Sequence, residues 1–219
     1  NIESLLIINP DNPSGNLMSK EEILSLVTWG KQAGINIILD ESFIDFADDN
    51  VELLDNKILA KNENLIIVKS ISKTYGVPGL RLGIIATSNE SLLSRVRNEV
   101  SIWNINSFGE FYLQIAEKYN SYYEKSLEKI KVLREKLQNA LNEIDCVRVI
   151  KSQANYIMCE ILYPYTSKEL TKNLLNKYNI LIKDLSNKEG LNNKQYIRLA
   201  IKTPEENNIL IDAIKNELS

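Results

Sequence analysis

The sequence predicts an α/β fold, with a large domain on a mainly parallel sheet and a smaller α+β domain after it. Three observations predict it. Up to about residue 100, short apolar runs alternate with helical stretches at the spacing of βαβ units. From about Glu110 to Asn142 the pattern is long, charged and helical, with few breakers. After Asp145 the texture changes to short alternating strands mixed with helices. The expected division is 1–109 for part of the large domain, 110–144 for a connecting helix and 145–219 for the small domain.

The elements follow in order. Ser4 to Asn9, "SLLIIN", is an apolar run closed by the turn formers of "PDNPSGN". Ser19 with Glu22 makes a capping box for a helix from about Lys20 to Ala33, stopped by Gly34. "INIILD" (Ile35 to Asp40) is apolar almost throughout, as suits a strand covered on both faces. A helical or irregular stretch over Val51 to Lys61 leads to a third strand, "NLIIVKS", and Leu82 to Thr87 is a fourth. Asn89 opens a further helix. In the small domain, "VRVIKSQANYIMCEIL", "NILIKDL" and "YIRLAI" read as strands, with helices over Ser167 to Tyr178 and Glu205 to Leu218.

Composition narrows the function. A net charge of -3 with 25% charged residues gives no nucleic-acid face. Two cysteines, Cys146 and Cys159, make no disulfide framework, which suits a reducing cytoplasm. No apolar run is long enough to span a bilayer, and Asn1-Ile-Glu lacks the basic start of a signal peptide. The chain contains no histidine. Ser-His-Asp and Cys-His nucleophile systems and histidine-containing metal sites are therefore excluded, and no metal is expected. Acid–base chemistry near neutral pH must come from lysine, tyrosine, cysteine or a shifted carboxylate.

Three polar signals end three predicted parallel strands: Asn9 to Gly15, Asp40, and Ser70 to Lys73. Ligands of open α/β sheets bind at that edge. A lysine beside apolar strands can act as an amine nucleophile toward an aldehyde. A carboxylate can pair with a protonated ring nitrogen, and small hydroxyls with a forked arginine can hold a phosphate. An aldehyde, a pyridine nitrogen and a phosphate are the three handles of pyridoxal 5'-phosphate. Each residue also has a plainer reading: a turn for "NPDNPSG", a helix cap for Asp40, a solvated lysine for Lys73 and an outward strand arginine for Arg198. Their joint order favours the shared site.

"NPDNPSG", "DESF" and "SISKTYGVPGLRLG" resemble, in order and spacing, the motifs of fold-type I pyridoxal-phosphate enzymes of the class I/II aminotransferase family. "ILDESFIDF", "ANYIM" and "YIRLAI" look most like histidinol-phosphate aminotransferases and threonine-phosphate decarboxylases. The resemblance implies the aspartate aminotransferase fold, with a seven-stranded sheet of which this chain holds part. It implies pyridoxal 5'-phosphate, a small amino-acid substrate bearing a phosphate or similar anion, and a cytoplasmic homodimer. By the same resemblance, Lys73 forms the Schiff base and shuttles the proton, Asp40 pairs with the pyridine nitrogen and Asn12 binds the 3-hydroxyl oxygen. Ser70, Ser72 and Arg81 take the cofactor phosphate. Arg198 clamps the substrate carboxylate with Asn155 nearby, and Lys183 is a candidate for the substrate phosphate.

The chain departs from that pattern in two places. Phe43 stands where most aminotransferases have tyrosine, which removes one hydrogen bond to the 3-hydroxyl and leans toward the decarboxylases. The family's amino-terminal half is missing, so the 219-residue piece alone is expected to be inactive. The chain opens directly in a strand, as the later part of a longer protein would, and a fused preceding domain is allowed. Transamination and decarboxylation both remain open. The alternative is a carboxy-terminal module of a multifunctional chain that dimerises or scaffolds.

Overall fold

The computed structural model describes residues 2–191 and 194–218; Asn1 and Ser219, the outer bounds of the expected domains, lie outside them. The chain forms two compact units, Asn1–Pro10 with Leu17–Leu127, and Asp11–Asn16 with Glu128–Ser219. The turn after the first strand thus belongs to the second unit, a placement that no local sequence signal carries.

The first unit is built on a four-stranded sheet ordered β1 (Ser4–Ile8), β2 (Asn36–Asp40), β3 (Leu65–Ser70) and β4 (Gly83–Ala86). The first three are parallel, so Ile8, Asp40 and Ser70 end at the same sheet edge. β4 runs antiparallel to β3. The link between them turns through a 3-10 turn at Pro78–Leu80 and a left-handed Arg81, with no helical crossover of the kind that parallel neighbours need. Helix α1 (Lys20–Ala33) has both halves of its capping box and a left-handed Gly34 at its carboxyl end. It packs Ile23 and Val27 with Ile37, Leu39, Leu65 and Ile67 in the unit's core. The stretch before β3 resolves into loop and then α2 (Asn56–Lys61), capped by Asp55.

Helices α4 (Glu90–Glu99), α5 (Ser107–Ala116) and α6 (Asn120–Asn142) follow. The expected single helix over 110–142 is interrupted by a 3-10 turn at Glu117–Tyr119. Dihedrals stay right-handed through it at Ala116, Glu117 and Asn120. The chain there tightens its hydrogen bonding without leaving the helical region, which is why composition gives no warning.

The second unit has an antiparallel sheet ordered β5 (Val147–Ile150), β6 (Tyr156–Ile161), β8 (Tyr196–Ala200) and β7 (Lys183–Asp184). Helices α7 (Ser167–Tyr178) and α8 (Pro204–Glu217) share one apolar core with it, centred on Ile157, Cys159, Leu174, Ile197, Leu199 and Ile214. Burial pushes the Cys159 thiol up to about 12, so it packs as an apolar side chain.

Candidate functional site

In the first unit, β3 runs directly into a single helical turn, α3 (Ile71–Thr74), which carries Lys73. The Lys73 amine is exposed and sits 4.5 Å from the centre of the Phe43 ring, within cation–π range. Asp40 ends the neighbouring strand β2. Its Oδ1 accepts from the Ser42 amide at 2.8 Å, and the Ser42 hydroxyl accepts from the Ser70 amide at 2.9 Å. Ser42 therefore ties the carboxylate's strand end to the lysine's strand end. It lies inside the "DESF" motif, between Asp40 and Phe43.

The three expected phosphate ligands differ in their engagement. Ser70 is half-buried at the start of α3. Ser72 is buried and donates its hydroxyl proton to the Leu82 carbonyl at 3.2 Å, bracing the return to β4. Arg81 is exposed, holds φ 57 and donates one guanidinium N–H to the Pro78 carbonyl at 3.3 Å. A guanidinium carries five donors, so most of that fork remains for an anion.

The first unit also holds a charged cluster around the buried Lys69. Lys69 Nζ contacts Asp45 Oδ1 and Glu52 Oε1, each at 2.7 Å, and Tyr123 donates to Asp45 Oδ2 at 2.7 Å. Burial alone would lower the Lys69 pKa, but the two carboxylates outweigh it and hold the ammonium above its ordinary value. Glu41, the neighbour of Asp40, is fully buried. Its Oε1 accepts from the Leu53 amide at 2.7 Å while Oε2 has no partner. Burial raises its pKa to about 7, with the Leu53 amide opposing and the Glu52 and Asp45 charges adding to the rise while Lys69 counters them.

The second unit holds Asn12, Asn155 and Arg198. Arg198 Nη1 donates to Asn12 Oδ1 at 2.6 Å, and the guanidinium lies 5.1 Å from the Tyr156 ring centre. The Tyr156 hydroxyl donates to the Asp11 carbonyl at 2.8 Å, and the Gln153 amide to the Gly15 carbonyl at 2.8 Å. Gly15 has φ +73, and a Cβ there would collide with the Ser152 side chain. Only glycine allows that approach. Lys183 pairs directly opposite Arg198 across β7 and β8, which puts two cations on one face of the sheet. Asn155 is half-buried, with its carbonyl accepting from the Ile201 amide at 3.0 Å.

Within each unit the expected residues therefore gather: Asp40, Phe43, Ser70 and Lys73 in the first, Asn12 and Arg198 in the second. Sequence reasoning missed Glu41, Asp45, Glu52, Lys69 and Tyr123. Lys69 had a usable signal, because it shares the inward alternation of Leu65 and Ile67. Tyr123 had none.

The family profile described as "Aminotransferase class I and II" matches residues 1–214. The chain is 35% identical over 208 residues to the adenosylcobalamin biosynthesis bifunctional protein CobDQ of Leptospira interrogans, covering 95% of this chain and 23% of that protein. It is 32% identical over 222 residues to the L-serine phosphate decarboxylase of Sulfurospirillum multivorans, covering 99% of this chain and 56% of that one. Among solved structures, the histidinol-phosphate aminotransferase from Clostridium acetobutylicum matches with a TM-score of 0.90 and 30% identity, over 98% of this chain and 64% of that one. The chain thus spans little more than half the length of such curated relatives, or less. It belongs to the class I and II aminotransferase family.

Proposed function

We propose that this chain carries much of the active site of a pyridoxal 5'-phosphate-dependent enzyme that acts on a small phosphorylated amino acid. One observation carries the reading: Asp40 and Lys73 stand at the ends of adjacent parallel strands, linked by the Ser42 bridge. That donor set suits the cofactor, since it offers a carboxylate for a ring nitrogen, an amine for an aldehyde and a guanidinium for a phosphate. The bound cofactor supplies an electron-withdrawing ring that stabilises negative charge at a substrate's α-carbon.

The chain's own residues have separable tasks. Asp40 holds a proton on the pyridine nitrogen. Lys73 Nζ would hold the cofactor and would carry a proton to or from the reacting carbon. Phe43 offers an apolar face and no hydrogen bond to the 3-hydroxyl, while Asn12 Nδ2 would be the donor for that oxygen. Arg81 and the Ser70 hydroxyl take the cofactor phosphate, and Ser72 would join them by giving up Leu82. Arg198 takes the substrate carboxylate, with Asn155 beside it and Lys183 on the substrate phosphate. The relatives named as acting on phosphorylated substrates support that substrate class.

Whether the outcome is transamination or decarboxylation depends on which bond at the α-carbon stands perpendicular to the ring. Phe43 leans toward decarboxylation. The enzyme is read as a cytoplasmic homodimer. A second reading, a module of a multifunctional chain with mainly a dimerising or scaffolding role, is supported by the bifunctional relative. The test is borohydride reduction of the natural full-length protein loaded with cofactor, then peptide mapping. Label on Lys73 supports the enzyme reading, and label on another lysine removes it. Incubation with O-phospho-L-serine or O-phospho-L-threonine then separates release of carbon dioxide from formation of a keto acid.

A further inference from the structure

The turn that carries Lys73 is poorly supported by its own backbone. α3 is a single turn of four residues, followed by Gly76 at φ +66 and a 3-10 turn. One isolated turn is not stable by itself. Its position must be imposed from outside, and Asp45 stands where that can be done.

Asp45 lies in the 3-10 turn Ile44–Phe46, two residues after Phe43, whose ring faces the lysine amine. Both of its carboxylate oxygens are used. Oδ1 accepts from Lys69, one residue before the end of β3, and Oδ2 accepts from Tyr123 of α6. The Tyr123 ring stacks on Tyr75, with centroids 4.0 Å apart and planes 4° from parallel. Tyr75 closes α3, its amide donating to the Ile71 carbonyl at 3.2 Å. One carboxylate thus connects the ring under the lysine, the strand that leads into its turn and the residue that ends it. A neutral amide could not replace it, having one oxygen for two donors and no charge for Lys69.

We propose that Asp45 is a positioning residue for Lys73: with Lys69 and Tyr123 it clamps the turn through Phe43 and Tyr75. The inference rests on Lys73 being the lysine that holds the cofactor. Glu52 keeps Lys69 paired when Asp45 is changed, so the effect is local.

The test uses the natural full-length protein and its Asp45→Asn and Tyr123→Phe variants. The second removes only the phenolic oxygen and serves if the first does not fold. Hydrogen exchange at the amides of residues 73–77 is expected to rise about tenfold, while the amides of residues 37–39 and 65–67 stay within about twofold. The visible circular dichroism per bound cofactor, which reports how the cofactor is held, is expected to fall by about half or more. Equal loosening of the core strands overturns the proposal. So does a wild-type value for either the turn's exchange or the dichroism. Borohydride label on a lysine other than Lys73 would instead refute the cofactor assignment, leaving the exchange result to judge the clamp on its own.

Discussion

Arg198 Nη1 donates to the side-chain oxygen of Asn12 at 2.6 Å, across 186 residues of chain. A guanidinium has donors only, so it must face the amide's oxygen and not its nitrogen. The Asn12 orientation is fixed by that chemistry, and its Nδ2 becomes the donor left for a ligand. The residue expected to hold the substrate carboxylate therefore sets the donor expected to meet the cofactor's 3-hydroxyl oxygen.

Coupling between the two should be measurable. Arg198→Ala is expected to weaken amino-acid binding by about 2–5 kcal/mol, the loss of a charge-assisted forked contact. With Asn12→Ala it should form a non-additive cycle of about 0.5–3 kcal/mol in substrate binding. Strict additivity, read by substrate titration of the four proteins, would show that the hydrogen bond carries no such message.

Glu41 should make stability fall as pH rises. Its pKa is about 7 in the folded chain against 4.5 for the ordinary carboxyl. The folded state therefore binds the proton more tightly, and stability is greatest below about pH 4.5. It is lost as pH climbs to about 7 and stays level above that, by about 3 kcal/mol in all from this group. Urea unfolding at pH 5 and pH 8 should show that Glu41→Gln loses less stability across the interval than the parent does. Equal losses would mean that the carboxyl stays ionised within the fold.

Lys69 has the same sign in a more alkaline window. Its folded pKa lies above 10.5, so its contribution holds through neutral pH and fades only at more alkaline values. Lys69→Met strips Asp45 and Glu52 of their cation and should cost about 3 kcal/mol at pH 7. Glu52 is a third exposed and can relax into water, which keeps the loss at the lower end. Chemical denaturation decides it, and a midpoint equal to the parent's would show that the pair contributes nothing net.

What sequence could show here was set by the range of each interaction. The capping box at Ser19 and Glu22 acts over three residues and placed α1 at the observed bounds. Alternation in β3 acts over two residues and carries an inward signal for Lys69, which the strand reading alone left unused. Motif order brought Asp40 and Lys73 to one edge, because β2 and β3 run parallel. The antiparallel return of β4 was not legible, since it depends on a left-handed Arg81, a conformation that non-glycine residues seldom take. Nor was the bond from Tyr123 to Asp45, which joins residues 78 apart and needs the folded unit to exist.

The first unit carries an exposed apolar surface. Its two edge strands expose Leu6 (60%) on β1 and Ile85 (48%) on β4. Farther along, Ile102, Trp103, Phe108 and Phe111 are 93%, 91%, 80% and 62% exposed. Edge strands offer unpaired backbone groups, and clustered exposed aromatics attract partners. The second unit exposes fewer such side chains, chiefly Tyr163, Leu181 and Ile209. The 219-residue chain by itself should therefore associate with its own copies through the first unit. Light scattering across a concentration series should show mass rising with concentration, and Trp103→Ser with Phe108→Ser should suppress it. A wild-type chain that stays monomeric at about 100 μM, where weak contacts between exposed surfaces should register, would show that these side chains are no association surface.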